Sequence, residues 1–323
     1  MKRIGILTSG GDAPGMNAAI RATVRTASAA GLETVGYFDG YQGMVDAKTV
    51  VLDDRAVGNI IHRGGTIIGT SRCPAFHQPG VRAEVAQRMR AEQVEALVVI
   101  GGDGSFRGAL ALQDEQGLTV AGVPGTIDND VWGTEETIGF DTAVNTALRA
   151  IDALRDTGEA TGTTFFVEVM GRSAGAIAIH TGLGGGATGI LVAEAPADLT
   201  GVIQLLQASV AAGKRSHIVI VSEGEEAGGA IAIARAVEAA FDFPHRVVVL
   251  GHVQRGGAPT ARDRMIATVS GAAAVDGLVA GRSGFMVGIQ GGRPVEVPLA
   301  EVVAGAHPEA RFDLLHLAQR LAR

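Results

Sequence analysis

The residues best equipped for chemistry lie in short glycine- and acid-rich segments that follow apolar runs. Gly101-Gly102-Asp103-Gly104-Ser105 comes directly after Ala96–Ile100 and sets one acid among three glycines. A carboxylate so placed can hold Mg2+ while bare backbone N–H groups cradle phosphate oxygens; the competing reading is a helix cap by Asp103. Pro124-Gly125-Thr126-Ile127-Asp128-Asn129-Asp130 follows a second apolar run, Thr119–Val123. Its two carboxylates, two residues apart, can divide labour, one as a base toward a hydroxyl and one toward a metal. The alternative is a solvated turn held by Asx-type bonds, and a second acidic loop after a second strand weakens it. Thr8-Ser9-Gly10-Gly11-Asp12-Ala13-Pro14-Gly15-Met16-Asn17 opens a helix. Amides at a helix start suit a phosphate, and an ordinary tight strand-to-helix turn accounts for the segment equally well.

A basic group completes the inventory: Arg72, Met170-Gly171-Arg172, Arg246 and His252-Val253-Gln254-Arg255-Gly256-Gly257. Arginine forks match phosphate oxygens at two points. Any one arginine is more commonly a surface ion pair, but Arg172, His252 and Arg255 all follow strands and should face one edge. Glu223, after Ile218–Ser222, can accept bonds from sugar hydroxyls.

Other chemistries are excluded. No G-x-x-x-x-G-K-[ST] phosphate loop occurs, and no H-E-x-x-H zinc pattern. Gly184-Gly185-Gly186-Ala187-Thr188-Gly189 matches G-x-G-x-x-G literally, but it follows a helix and precedes a strand, the reverse of the dinucleotide-binding order. His180 reads as a packed or surface helix residue. Cys73 is the only cysteine, so an intramolecular disulfide or cysteine-cluster metal site is impossible. A net charge of −7 argues against a nucleic-acid partner. The apolar run at the N-terminus breaks at Thr8, too early for a signal-peptide core, and no uncharged apolar run approaches the roughly 20 residues that span a bilayer. A cytoplasmic enzyme without a membrane partner is expected.

Placing these segments side by side requires strands that end together. Ile4–Thr8, Ala96–Ile100, Thr119–Val123, Thr164–Val169, Ile190–Ala193, Ile218–Ser222 and Val247–Leu250 read as buried strands. Met16–Ala30 places Met16, Ile20, Val24 and Ala27 at helical spacing and stops at Gly31. Ala143–Leu154 and a segment ending at Ser209–Gly213 read likewise. Alternation of strand and helix predicts a parallel sheet covered on both faces, with ligands beyond the carboxyl ends of the strands. Hydrophobic residues are 46% of the chain with one tryptophan and two tyrosines, so the cores should be mainly aliphatic. The length of 323 residues predicts two domains. The crossings are placed at 139/140, 253/254 and 304/305, giving a larger domain, 1–139 with 254–304, and a smaller one, 140–253 with 305–323.

Taken together, Thr8–Asn17, Arg63-Gly64-Gly65-Thr66, Val98–Ser105, Pro124–Asp130, Glu168–Arg172 and Gly251–Gly257 resemble the ATP-type 6-phosphofructokinases of bacteria, over essentially the whole chain. The resemblance implies an α/β fold of two Rossmann-like three-layer domains with mainly parallel sheets. It implies phosphorylation of the 1-hydroxyl of fructose 6-phosphate by ATP with Mg2+, the committed step of glycolysis, in a homotetramer. It makes Asp128 the base and puts Mg2+ on Asp103 with Asp130 close by. Gly11, Arg72, Cys73 and Gly102, Asp103, Gly104 and Ser105 surround ATP. Thr126 and Arg172 steady the transferred group, with Gly11 beside them. Ile127, Met170, Gly171 and Glu223 line the sugar. His252 and Arg255 hold the 6-phosphate, joined by Arg246 from a neighbouring subunit. Pyrophosphate users of the family carry aspartate and lysine where this chain has Gly104 and Gly125, which implies ATP as donor. A kinase of relaxed ketose-phosphate choice, a pyrophosphate enzyme and a catalytically weak regulatory subunit are the alternatives, and the retained Asp103, Asp128 and Arg172 speak against the last.

Two departures stand out against the family pattern. Thr163 occupies the position of a second neighbour-subunit arginine, so one charge-assisted contact to the 6-phosphate, of about 1.5–3 kcal/mol, is missing. Arg21, Arg25, Arg155 and Lys214 match the family's site for ADP and phosphoenolpyruvate, but Asp54, Thr188 and Ala212 replace an arginine, a glutamate and a lysine there. Neutral drift or blunted regulation both fit that change. Installing the missing charge as Thr163→Arg is expected to lower the sugar-phosphate concentration at half-saturation; an unchanged value would show that the departure has no bearing on binding.

Overall fold

The structure is a computed structural model that describes every residue except 225–227, 309 and 323. Among the described residues the chain runs β1 (Arg3–Thr8), α1 (Met16–Ala29), β2 (Glu33–Tyr37), α2 (Tyr41–Asp46), β3 (Thr49–Leu52), α3 (Pro79–Ala91), β4 (Ala96–Gly101), α4 (Asp103–Gln116), β5 (Thr119–Thr126), β6 (Ile138–Gly139), α5 (Phe140–Thr161) and β7 (Thr164–Val169). It continues through α6 (Ala176–Gly184), β8 (Gly189–Leu191), α7 (Leu199–Ala211), β9 (His217–Ser222), α8 (Gly229–Ala240), β10 (His245–Val249), α9 (Ala261–Val279), β11 (Phe285–Gln290), β12 (Arg293–Pro298), α10 (Leu299–Ala304) and α11 (Phe312–Leu321). Short 3-10 turns lie at Pro74–His77 and Gly251–Arg255. No helix is long and apolar enough to cross a membrane among the described residues.

The first compact unit comprises Met1–Thr142 and Arg255–Pro308. Its sheet has the order β12-β11-β5-β4-β1-β2-β3, with β6 pairing onto β5. The central strands are parallel and mainly apolar: Ile4, Ile6, Leu7 and the run Leu97–Ile100 are all fully buried. Burial on both faces is what such continuous aliphatic runs require. Thr8 stands opposite Ile100, Ile100 opposite Val123 and Gly101 opposite Pro124. The loops that follow β1, β4 and β5 therefore leave the sheet at one edge. The sheet is antiparallel only at its margins, β2 with β3 and β11 with β12.

The second unit comprises Ala143–Gln254 and Glu309–Arg323. Its sheet, β10-β7-β9-β8, is parallel throughout. Val169 stands opposite Ser222, and Val249 opposite Glu168, so the segments following β7, β9 and β10 also share an edge. Phe166, Leu206, Val219, Val221 and Ile233 form its core. Both cores are largely aliphatic, with Phe106 and Phe166 the bulkiest fully buried side chains.

Several elements differ from the sequence reading. β5 runs three residues further, through Gly125 and Thr126, because Ile138 and Gly139 return beside them as β6. The helix read over Ala143–Leu154 spans Phe140–Thr161, and the strand read over Ile190–Ala193 is Gly189–Leu191. The marginal strands β2, β3, β11 and β12 lie outside the runs read as strands from the sequence; β3 and β12 are largely exposed, whereas β11 is a buried apolar run that the sequence reading passed over. The unit boundaries fall at 142/143, 254/255 and 308/309, later than the sequence reading put them, for identifiable reasons. Residues 140–142 belong to the first unit because buried Asp263 accepts hydrogen bonds from the Gly139 and Thr142 amides, each 2.8 Å, and from the Thr142 hydroxyl. Gln254 belongs to the second, where its Oε1 accepts from the Met170 amide at 2.9 Å. Residues 305–307 stay with the first, with Gly305 packed under the Trp132 ring and His307 Nδ1 2.9 Å from the Asp130 carbonyl.

Burial pushes the Asp263 carboxyl up from 3.8 to about 6, against the pull of its three donors. A carboxyl that binds its proton more tightly in the folded state contributes most stability below its unfolded value and loses it as pH rises through about 6. Asp263→Asn, which mimics the protonated form, should therefore be least stable relative to wild type near pH 4. The deficit should narrow by on the order of 3 kcal/mol toward pH 7 in urea unfolding. A deficit that widens over that range would mean the donors outweigh burial.

Candidate active site

On the first unit, the loops after β1, β4 and β5 form the glycine- and acid-bearing edge. The loop after β1 is laced to the segment from Arg63 to Thr70. Buried Asn17 donates to the Arg63 and Gly64 carbonyls, each 3.1 Å, and accepts from the Ile67 amide at 2.8 Å. Thr8 Oγ1 meets Thr66 Oγ1 at 2.9 Å and the Gly69 carbonyl at 2.6 Å. Thr70 Oγ1 donates to the Gly10 carbonyl at 2.8 Å. The Arg63–Thr66 phrase, to which sequence reasoning attached no role, is thus the brace of this loop.

Gly102 caps α4, and Asp103 stands in its first turn, where an acid is favoured by the helix dipole. Arg107, one turn on, reaches back to Asp103 Oδ2 with Nε at 3.0 Å and Nη2 at 2.9 Å. Buried Tyr41 donates its hydroxyl to the Ser105 carbonyl at 2.6 Å, and desolvation pushes its phenol far above the usual range, so it remains a donor. The Tyr41 ring stacks on Phe76 at 4.1 Å, which ties α4 to the turn that follows exposed Arg72 and half-buried Cys73. Arg107 and Tyr41 escaped the sequence analysis because each acts on a residue remote from it or one turn away, and Asn17 was read only as part of the loop that opens α1.

The glycines here differ in what they answer to. A Cβ at Gly104 would meet nothing within 4 Å, so no packing demands glycine there. A Cβ at Gly125 would lie 3.0 Å from Ile100 Cγ2 and 3.2 Å from Met16 Cε, so that glycine is set by the protein's own interior. A side chain at Gly11 would collide with the Arg255 guanidinium, whose Nη1 is 3.3 Å from the Asp12 carbonyl. Arg255 thus belongs to the first unit and lies on the loop after β1, while Arg172 and His252 belong to the second unit.

After β5, Asp128 is 3% exposed and its amide is 3.2 Å from Thr126 Oγ1. Ile127 is fully buried. Asp130 follows, half-buried, with His307 Nδ1 3.9 Å from its Oδ2. Asp103 and Asp130 suit a magnesium ion that keeps most of its shell as water and phosphate oxygen and needs only one or two carboxylates. The described residues contain no cluster of three or more His, Cys, Asp and Glu side chains able to hold a metal by themselves.

On the second unit, Met170, Gly171 and Arg172 follow β7. Gly171 has φ 139° and Arg172 φ 52°, a tight turn closed by the Ala174 amide on the Gly171 carbonyl at 2.8 Å. A left-handed arginine is uncommon and marks a backbone held by its surroundings. Glu223 is exposed, and its amide donates to the Val169 carbonyl at 2.9 Å. His252 is exposed in the 3-10 turn after β10. Arg246 is exposed on β10, the edge strand of its sheet. Thr163 sits between α5 and β7, its hydroxyl 2.7 Å from that of Thr161.

The four basic residues matched to a regulatory site divide, with Arg21 and Arg25 on α1 in the first unit and Arg155 and Lys214 in the second. Arg155 is engaged at the end of α6, donating to the Gly185 carbonyl and, at 3.2 Å, to that of Gly186. The literal G-x-G-x-x-G lies between α6 and β8, as its order indicated. His180 is on α6 with Nδ1 2.8 Å from the Ala176 carbonyl.

The phosphofructokinase family model matches residues 3–278. The ATP-dependent 6-phosphofructokinase 1 of Thermus thermophilus is 54% identical over 326 residues, covering 100% of each chain. Phosphofructokinase from Saccharomyces cerevisiae superposes with a TM-score of 0.87 at 31% identity, over 94% of this chain and 45% of that one, so this chain spans less than half the yeast chain. The pyrophosphate-dependent phosphofructokinase of Marinobacter aquaeolei has a TM-score of 0.87 at 24% identity, over 98% and 91% of the two chains, a likeness of fold alone.

The contrast between the two glycines can be measured. Gly104→Ala should be neutral or raise stability by up to about 1 kcal/mol, as expected for glycine replaced within a helix. Gly125→Ala should lower it by about 1–3 kcal/mol, the cost of forcing a side chain into a filled interior. Thermal unfolding of the two variants beside wild type gives the order.

Proposed function

The chain belongs to the phosphofructokinase family, and on that premise we propose that it transfers the γ-phosphoryl group of ATP to the 1-hydroxyl of fructose 6-phosphate. The products are ADP and fructose 1,6-bisphosphate. The observation that carries this reading is the edge where α4 begins: Asp103 in the first turn of a helix, beside a Gly104 that nothing in the protein crowds. Room at that glycine with no packing reason for it suits a nucleotide polyphosphate, whose inner phosphate needs the space that an aspartate would fill.

In this reading Gly11, Arg72, Cys73 and Gly102–Ser105 hold ATP. Asp103 and Asp130 would hold Mg2+, which would supply charge neutralisation at the phosphate oxygens. Asp128 accepts the proton of the 1-hydroxyl as that oxygen bonds to phosphorus and the bond to the ADP oxygen breaks, with Thr126 and Arg172 steadying the phosphoryl group. Ile127, Met170, Gly171 and Glu223 receive the sugar. His252, Arg255 and Arg246 of a neighbouring subunit receive the 6-phosphate. Exposure of Arg246 on an edge strand suits that assignment, and with it a homotetramer. The enzyme is placed in the cytoplasm. ADP and phosphoenolpyruvate are its effectors through Arg21, Arg25, Arg155 and Lys214. Arg155 is already occupied by two carbonyls, which favours a blunted response.

The test is ADP release from ATP and Mg2+ with fructose 6-phosphate, alongside fructose 1-phosphate, sedoheptulose 7-phosphate and pyrophosphate as controls. Turnover with ATP and fructose 6-phosphate should fall at least 100-fold in Asp128→Ser, the scale of a lost general base. Gly104→Asp should raise the KM for ATP. Turnover confined to pyrophosphate or to another ketose phosphate would overturn the reading.

A further inference from the structure

The geometry points to Asn129 as a positioning residue for the reaction, setting the two carboxylates on either side of it; this rests on the function proposed above. Asn129 has φ 51°. In a regular strand, residues two apart share a face. A left-handed residue between Asp128 and Asp130 breaks that relation, so one residue's dihedrals set how the two carboxylates are disposed toward each other. Asparagine is among the few residues with a side chain that enter this region readily, because its short amide can bond locally.

Here the amide does so across the whole loop. Asn129 Oδ1 accepts from the Thr137 amide at 2.8 Å, and Nδ2 donates to the Glu135 carbonyl at 3.2 Å. Thr137 is 1% exposed, so without Asn129 its amide would be buried with no such acceptor, a costly state. The Thr137 hydroxyl is 2.6 Å from the Thr126 carbonyl and 3.2 Å from Asn129 Oδ1. Its single proton goes to the nearer oxygen, which links the end of β5 to the start of β6.

The far side of the loop is itself anchored. The Ile289 amide donates to Thr134 Oγ1 at 2.9 Å, the Glu135 amide to the Ile289 carbonyl at 2.8 Å, and the Gly291 amide to Glu135 Oε2 at 2.9 Å. Arg262 grips the Glu136 carboxylate at 2.6 and 2.7 Å. The loop is thus tied to the β11–β12 hairpin and to α9. Asn129 is the side chain that carries this fixed frame back to the carboxylate pair.

Two variants separate positioning from mere stability. Asn129→Gly keeps the left-handed backbone, which glycine enters freely, and removes the amide. Asn129→Asp keeps the acceptor for the Thr137 amide. Asn129→Gly is expected to lower kcat at least tenfold, because small misplacement of reacting groups is expensive in rate. KM for ATP and fructose 6-phosphate, and the affinity for Mg-ADP by calorimetry, should stay within threefold. Asn129→Asp should recover part of the lost kcat. A wild-type kcat in Asn129→Gly, whatever its melting temperature, would overturn the assignment, as would a loss confined to KM. A wild type silent with both substrates would instead remove the proposed function, and this inference with it.

Discussion

The parallel ladder of β1, β4 and β5 is the constraint on which the site depends. Thr8 lies opposite Ile100 and Ile100 opposite Val123, so three chemically loaded loops are released at one level. A one-residue slip would turn every side chain of a strand to the other face. Continuous aliphatic burial on both faces holds the ladder together. The Asn17 bonds to the Arg63–Ile67 backbone then fix the loop that leaves β1.

From that frame, function on the first unit is a matter of which loop positions are braced and which are left open. Tyr41 on Ser105, Thr8 on Gly69 and Asn129 on Thr137 are short polar ties with at least one buried member. Each satisfies a buried group and removes a local freedom. Gly104 is the counterpart, a place where the protein puts nothing. Rigid surroundings with a local opening are what phosphoryl transfer asks of a protein, since its contribution is positioning and charge rather than covalent chemistry.

The charged groups of the first unit sort in the same way. Asp263 is wholly buried and serves the backbone where the chain approaches the second unit, receiving Gly139 and Thr142. Arg262, its neighbour, takes Glu136 at the surface. Asp103 is held by Arg107 at one oxygen, an exposed pair of the kind worth little to stability, so the carboxylate can exchange that partner for a cation at small cost.

Much of this was legible in the sequence. Apolar runs bounded by glycine located the central strands of both sheets, because strands buried on both faces have no other way to be written. The acidic and glycine-rich phrases after those runs located the loops, and with them Asp103, Asp128 and Arg172. What the sequence could not place were contacts between residues far apart in the chain with no periodic signature. Of the marginal strands, β3 and β12 are largely exposed, while β2 and β11 are mostly buried and were passed over. The boundaries moved because Asp263, 121 residues from Thr142, reaches back to hold it. Arg255 lies on the loop after β1, beside Gly11 and Asp12, a side-chain placement that no spacing encodes. Whether Gly104 and Gly125 are glycine for the ligand's sake or the fold's was decided only by tertiary structure, since it depends on which atoms from elsewhere in the chain fill the space where a Cβ would be.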